Sequence, residues 1–532
     1  MKKKLLCAVF LLSVLILSKP VFGQFFSSPN VPIGDPIYRE IDKLIAFGFI
    51  KDSLYGQRPW SRSEIARMIE EARVNAKVGQ DKILARLKKD FVEGEYKTLQ
   101  LHPLEQVDFD YTLLESPYRT VPMNNGLGSI DAAINPLVAY REGRHYVDGS
   151  TLELETSHSA RLTKYFSFYA RPHFEILTPD TGPADFNPIV QQLYGKFQFW
   201  NVALEVGRDS LIWGQGELGG VLFSNNARPF DMLKLSNDSP FLLPWIFKYF
   251  GPVSSTFFVA NLGPEREFPY SYLTGLKISV KPASFFEMGV DHIMVLGGNG
   301  APGPISPGAA ISEFFFVRSG NINTTNIVNH ELGLDFRFFL PMLRNSQIYL
   351  DMQLEDRELG TPLFMFTDLM NYQTGFYIPR LTSDGNMDLR LEYRHGSPFF
   401  YRHGVFSTGM AMNRRMWGDE LGPDGDGVYI SFSDELSEKQ LVKSSLRYER
   451  RSGDTLSQTE NPDSTHRHLT LVTSGPTESR IGWDIGGSYK FRDSMHIGLN
   501  LGYERVSSFN FVSGNDRNDF LGTISLEWKP GF

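Results

Sequence analysis

Cysteine is almost absent from this chain: Cys7 is the only one in 532 residues. It lies in an apolar run near the start and has no lipobox around it, so neither a disulfide framework nor a lipid anchor follows from it. Long apolar runs are lacking as well. Beyond residue 23 no continuous apolar segment reaches the roughly 18 residues that a membrane helix needs. A one-sided charge is also missing: a net charge of -8 over 532 residues argues against a nucleic-acid partner. Catalytic signatures do not occur, whether GxSxG elbow, HExxH helix or phosphate loop. Asp419 and Glu420 are adjacent and point to different sides, which makes a poor acid–base pair. His395 and His403 have no matching metal set, and Asp424-Gly425-Asp426-Gly427 reads as a turn with a fragment of calcium-loop texture. The chain therefore reads as non-enzymatic, with no cofactor and no metal.

What is present begins with an export signal. Lys2, Lys3 and Lys4 precede an apolar run from Leu5 to Leu17, and Val21-Phe22-Gly23 supplies a cleavage site ahead of Gln24, so residues 1–23 read as a secretory signal peptide. Residues 24–100 then read as a small periplasmic helical bundle. Asp35-Pro36 opens a helix whose stripe is Ile37, Ile41, Leu44 and Ile45, with Gly48 placed to end it. Ser61-Arg62-Ser63-Glu64 is a capping box ahead of Ile65, Met68, Ile69 and Ala72. Ile83, Leu84, Leu87 and Phe91 mark a third helix. Such short stripes are buried only against each other or against a partner.

From about Leu104 the texture changes to alternation punctuated by turns. Leu332, Leu334, Phe336 and Phe338 oppose Gly333, Asp335 and Arg337; Ile497, Leu499, Leu501 and Tyr503 oppose His496, Gly498, Asn500 and Glu504. The last strand places Ile524, Leu526, Trp528, Pro530 and Phe532 on one face and Thr523, Ser525, Glu527, Lys529 and Gly531 on the other. In an exported chain without disulfides, this regularity predicts an all-β transmembrane barrel over residues 101–532, with a lipid face and a lumen face. Tight turns at Arg492-Asp493-Ser494, Ser437-Glu438, Asp384-Gly385, Arg344-Asn345, Pro282-Ala283 and Leu162-Thr163 fall on one side. Counting them gives about 18 antiparallel strands beginning near Ser129, and leaves Val107 to Leu114 as a connector outside the barrel. Arg337, Arg390, Arg394 and Arg447 interleave with Asp335, Asp351, Glu355, Glu392 and Glu449 on the inward face, which predicts a lumen filled by ion pairs. The long outward loops are placed at Leu177 to Gln192, Trp213 to Pro229, Leu296 to Asn329, Asp356 to Met370, Ser397 to Gly427 and Gly453 to Thr465.

Two of these loops are unusual. One contains the stretch GRDSLIWGQGELGGVLFSNNARPF, the other YRHGVFSTGMAMNRRMWGDELGPDGDG. Together with VNHELGLDFRFFLP, these segments resemble the capsule-assembly Wzi family. The resemblance implies an 18-stranded outer-membrane barrel with a periplasmic helical bundle, acting as a surface lectin that helps attach capsular polysaccharide. Aromatic faces, planar guanidinium groups and amides suit sugar hydroxyls and carboxylates. Trp213, Asn225, Asn226, Arg228, Arg414, Arg415 and Trp417 are accordingly the candidate ligand-binding residues at the outer mouth. A structural reading stands beside this one: Arg208 and Arg228 could hold a plug inside the barrel, and Trp213 could belong to an interfacial aromatic belt. The expected partners are capsular or extracellular polysaccharide, outer-membrane lipid and a periplasmic partner of the bundle. The alternative function is a diffusion channel for oligosaccharides or small solutes.

Overall fold

In the computed structural model, described residues are 19–20, 26–76, 84, 87–92, 95, 97–121, 128–302, 306–315, 328–355, 370–452, 455–459, 468–472 and 475–530. The leader largely, the final aromatic residue, Ile83, residues 356–369 and parts of the loops expected at Leu296 to Asn329 and Gly453 to Thr465 thus fall outside the described residues.

Eighteen antiparallel strands close a barrel. In chain order they are β1 (Gln100–Glu115), β2 (Gly149–Arg161), β3 (Phe166–Pro179), β4 (Asp185–Phe199), β5 (Val202–Asp209) and β6 (Phe230–Asn237). They continue with β7 (Pro252–Asn261), β8 (Tyr272–Ala283), β9 (Phe286–Leu296), β10 (Val328–Leu340), β11 (Ser346–Glu355) and β12 (Asn371–Ile378). The last six are β13 (Met387–Gly396), β14 (Gly425–Ser437), β15 (Gln440–Arg451), β16 (Glu478–Arg492), β17 (Met495–Ser507) and β18 (Arg517–Trp528). Each pairs with its sequence neighbours, and β18 returns to β1 with Phe520 opposite Glu115 and Trp528 opposite Val107. Two-residue strands at Lys19–Pro20 and Phe241–Leu242 attach at one rim.

The strand count agrees with the sequence, but its membership does not. Val107 to Leu114 is not a connector; it lies in β1, the strand on which the barrel closes. The segment from Ser129, read as the first strand, runs inside the mouth. Its Ala133–Ile134 pairs with Arg119–Thr120 in a small hairpin, and Ile130, Ala132 and Ile134 are buried. An alternating stretch that packs against other loops carries the same pattern as one that packs in a wall, so one error cancelled the other in the total. The long loop at Leu177 to Gln192 is also corrected: β3 runs to Pro179 and β4 starts at Asp185, leaving only a short turn. Phe230 to Ser236 does form a wall strand, paired on both sides.

The two faces of the wall separate cleanly. Phe109, Leu113, Leu154, Phe168, Val206, Leu446, Leu499 and Ile524 stand exposed on the outside, forming the apolar band expected of a barrel in lipid. Phe166, Phe199, Trp200, Phe285, Phe491 and Trp528 are exposed beside the short turns, where an aromatic girdle belongs. Inside, Asp335, Arg337, Asp351, Arg390, Glu392, Arg394 and Glu449 are all buried. Against β14 to β17 the filling is looser. Ser431, Ser433, Ser445, Gly486 and Ser488 present little side chain there, and with Glu217, Lys443 and Asn500 they border a cavity of about 370 Å³.

The helices stop the end that carries the short turns. Helix α1 (Ile37–Ala46) is held at its start by the Asp35 carboxylate, which accepts from the Ile37 amide at 2.9 Å. Gly48 follows with φ +75°, a left-handed end that glycine adopts without strain. Helix α2 (Arg62–Asn75) uses half of the expected capping box: Ser61 accepts from the Glu64 amide at 3.1 Å. The Glu64 carboxylate turns instead to Arg67 at 2.7 Å and to the Ser239 hydroxyl at 2.6 Å. Ile37, Ile41, Leu44, Ile45, Ile65, Met68 and Ile69 share one core with Leu84, Leu87 and the barrel residue Phe339. Ion pairs then dock α1 on the barrel rim. Arg39 meets Asp388 and Glu435, both at 2.6 Å, and Asp42 accepts from Arg390 at 2.7 Å inside the lumen.

This arrangement fixes the end opposite the helices as the outer one. In a Cys7→Ser background, a single cysteine at Ala301 should react with an impermeant maleimide on intact cells. One at Glu438, in a short turn, should react only after the outer membrane is permeabilised. The reverse labelling pattern would invert the orientation.

Candidate functional site

Among the described residues, four outer-loop segments fold inward and build a lid: 116–121 with 128–148, 210–229, 262–271 and 397–424. Most of their apolar residues form one core, which includes Val121, Ile130, Leu222, Phe223, Phe400, Met410 and Trp417, with Phe268 packed at its edge, while Leu137, Val138 and Tyr146 pack separately against Leu114 and Leu521 of the wall. The loop from 210 to 229 goes deepest. Its Ile212–Trp213 pairs with Gln57–Arg58, which enters from the helical bundle, so the two plugs meet inside the barrel. Gly214, at φ +132°, sits where any Cβ would come 2.3 Å from the Asp351 carboxylate. Arg58 donates to the carbonyls of Gly216 at 2.8 Å and Glu217 at 3.1 Å. The Glu287 carboxylate accepts the amides of Tyr55 at 2.9 Å and Gly56 at 3.0 Å.

The candidate residues occupy three different depths. Trp213 is buried beside this junction, edge-on to Phe223 at 5.2 Å and Phe258 at 5.4 Å. It lies neither at the mouth nor in an aromatic belt. Trp417 is fully buried in the lid core, edge-on to Phe230 at 6.1 Å, so its ring is closed to solvent. Asn225 and Asn226 tie loops together. Asn226 donates to the Met416 carbonyl at 2.9 Å, Asn225 donates to the Tyr140 carbonyl at 3.3 Å, and the Asn225 carbonyl accepts from the Glu142 amide at 2.8 Å. The inward folding explains all four positions: a loop that is outward by strand parity still buries its aromatics when it packs on its neighbours.

The arginines behave otherwise. Asn413 and Arg414, with φ of 50° and 59°, form the tip of a hairpin between Ala411–Met412 and Arg415–Met416. The Arg414 side chain is 55% exposed and faces the equally open Asp131 at 3.3 Å, an exposed pair worth little energetically. The Arg415 guanidinium lies 4.2 Å from the Tyr118 ring centroid, and among the described residues no carboxylate pairs with it. Arg228 is half-buried and likewise unpaired among them; burial, then the neighbouring Arg208 guanidinium, pushes it below its ordinary value. Arg208 does not hold a plug: it pairs with Asp231 at 2.7 Å on the outer side of the wall.

Sequence reasoning missed Arg266, Tyr118 and Asp131, each of which meets the hairpin 411–417 from a distant segment. Arg266 donates to the carbonyls of Ala411 at 2.6 Å and Gly409 at 2.9 Å, and lies 5.6 Å from the Trp417 ring. Burial pushes its guanidinium down to about 10, still protonated at neutral pH. No sequence motif marks it. Of the histidines considered, His395 pairs with Asp426 at 2.9 Å across neighbouring strands. His403 accepts the amides of Val405 at 3.0 Å and Phe406 at 2.9 Å, within a turn.

A barrel closed at both ends, with a polar inner network and a folded lid, has clear relatives. The capsule assembly protein Wzi family matches residues 127–521. The chain belongs to that family. A solved structure described as Wzi, an outer-membrane protein involved in group 1 capsule assembly in Escherichia coli and a carbohydrate-binding β-barrel, superposes with a TM-score of 0.66 at 17% identity. That match covers 95% of this chain and 100% of the other, and establishes the shared fold. An uncharacterized 55.8 kDa protein in the cps region of Klebsiella pneumoniae is 25% identical over 210 residues, which span 38% of this chain and 36% of that protein. The Wzi-family chain is thus an outer-membrane β-barrel with its lid at the cell surface and its helices in the periplasm.

Proposed function

We propose that this Wzi-family barrel is a non-enzymatic surface lectin that binds capsular or extracellular polysaccharide and helps attach it to the cell. The carrying observation is the trio Arg228, Arg414 and Arg415 on the lid. Among the described residues no buried carboxylate pairs with these guanidinium groups, whereas Arg337, Arg390, Arg394, Arg447, Arg451 and Arg480 each meet one inside the barrel, and Arg58 and Arg266 are taken up by backbone carbonyls. The trio is suited to the carboxylates and hydroxyls of an acidic glycan, and the Tyr118–Arg415 pair adds a ring face. Trp213, Trp417, Asn225 and Asn226 serve this surface indirectly by fixing the loops beneath it. The apolar band contacts outer-membrane lipid, and the bundle face turned away from the barrel is available to a periplasmic partner. The junction of Gln57–Arg58 with Ile212–Trp213 weighs against a diffusion channel.

A contact of this kind contributes on the order of 1 kcal/mol, and a repeating polymer engages many copies at once. The triple substitution Arg228→Ala, Arg414→Ala and Arg415→Ala should weaken each site by roughly 100-fold and release polymer into the medium. The barrel should stay folded and heat-modifiable. Unchanged surface polymer with a folded triple variant would remove these residues as the site. If deleting the protein altered solute uptake and left polymer in place, the channel would replace the lectin.

A further inference from the structure

We propose that Glu153, His173 and Glu175 bind a first-row divalent cation, zinc by preference, and that this ion pins the first outer loop to the barrel wall. The register of β2 and β3 sets the residues out: Glu153 stands opposite Glu175, and Glu155 opposite His173. All four side chains point into the lumen and are buried. His173 Nε2 lies 3.3 Å from Glu175 Oε1 and 3.5 Å from Glu153 Oε1. Those separations match the edge of a tetrahedron whose centre holds an ion at about 2.0–2.1 Å from each ligand.

The surroundings are those of a metal centre's outer shell. His173 Nδ1 faces Glu155 Oε2 at 3.1 Å, the carboxylate position that orients a ligating imidazole and leaves Nε2 free for the ion. Neither His173 ring nitrogen makes a well-directed hydrogen bond, although the side chain is wholly buried. The two carboxylates are themselves held by the first outer loop and by β4. Glu175 Oε2 accepts from Asn187 at 2.9 Å and meets His145 Nδ1 at 3.0 Å, while Glu175 Oε1 accepts the His145 amide at 3.1 Å. The Glu153 carboxylate accepts from the Tyr146 hydroxyl at 3.2 Å and lies 3.4 Å from Arg144, which also reaches Glu155 at 3.0 Å.

Charge points the same way. Asp110, Glu142, Glu153, Glu155 and Glu175 face three guanidinium groups, those of Arg141, Arg144 and Arg171. With neutral imidazoles this group carries an excess of two negative charges, which one divalent cation cancels. A single imidazole with two carboxylates favours zinc over calcium, whose shell takes 6–8 oxygens. His145 and Tyr146 belong to the loop 116–148, so an ion here would lock that loop against β2 and β3.

The test uses the full-length protein in detergent, stripped with a chelator and reloaded with zinc or cobalt. Elemental analysis should find about one zinc per chain, cobalt should give the visible bands of a four-coordinate site, and reloading should raise the heat-modification temperature. His173→Gln and Glu175→Gln should each lose at least 10-fold in zinc affinity. His496→Gln, at the His496–Glu527 pair on β17 and β18, should bind as the parent does. Folded parent protein that takes up neither metal would overturn the site and leave a protonated His173 bridging the carboxylates. Undiminished uptake by both ligand variants would overturn it equally. Should His173→Gln fail to fold, Glu175→Gln and the parent's cobalt spectrum still decide.

Discussion

Replacing Lys277 by methionine should destabilise the barrel by about 3–5 kcal/mol, the cost of stranding a buried charge. The Lys277 ammonium is fully buried, 3.1 Å from Asp291 and in contact with Asp335. Asp335 stands directly across the sheet from Asp351, a like-charge pair, so one lysine compensates three aspartates. The wall is shaped for them. Asp335 lies over Gly289 and Asp291 over Gly333, where a Cβ would come 2.3 Å and 2.2 Å from the respective carboxylates. Gln353 donates to Asp291 at 3.2 Å and the Val221 amide to Asp351 at 3.1 Å. These neutral donors soften the loss of the ammonium without replacing it. The heat-modification midpoint of Lys277→Met should fall well below the parent's, and adding Asp335→Asn should recover part of the drop. If Lys277→Met melted with the parent, the lumen network would be dispensable for stability.

How much of this was legible depends on the kind of contact. The wall was readable because each strand carries its own evidence: Leu332, Leu334 and Phe336 face out while Gly333, Asp335 and Arg337 face in, whatever the neighbours do. Short turns such as Arg492-Asp493-Ser494 then fixed the parity. Partner choice was not readable. Ile130, Ala132 and Ile134 alternate like a wall strand yet pack in the lid, and only pairing with β18 distinguishes β1. Depth was not readable either. Strand parity puts Trp213 and Trp417 on the outer side, but the loop at 210–229 turns back into the lumen and the hairpin 411–416 covers its own apolar side. The cluster at Glu153, Glu155, His173 and Glu175 consists of ordinary alternate positions on two strands. It becomes a cluster only when the register brings β2 and β3 together.

The tryptophan at 417 is therefore expected to act through the lid and not through a sugar. Its ring is among the largest fully buried side chains in the protein. It fills the space between Phe230 and the Arg266 guanidinium, while its backbone accepts from the Ser224 amide at 2.8 Å. Trp417→Ala should cost about 3–5 kcal/mol, borne by the lid core, and should loosen Arg266 at the same time. Trypsin added to intact cells should then cleave at Arg414 and Arg415 many times faster, and polymer should be shed as a consequence. Trp417→Phe is the informative partner. The indole nitrogen is buried without an acceptor among the described residues, so phenylalanine keeps much of the packing and removes an unsatisfied donor. It should retain polymer and resist trypsin nearly as the parent does. Shedding by Trp417→Phe, with its lid still protected, would show that the indole itself meets the glycan. In planar bilayers even Trp417→Ala should show no large conductance steps, because the segment Gly56–Arg58 and the Lys277 layer still cross the lumen below the lid.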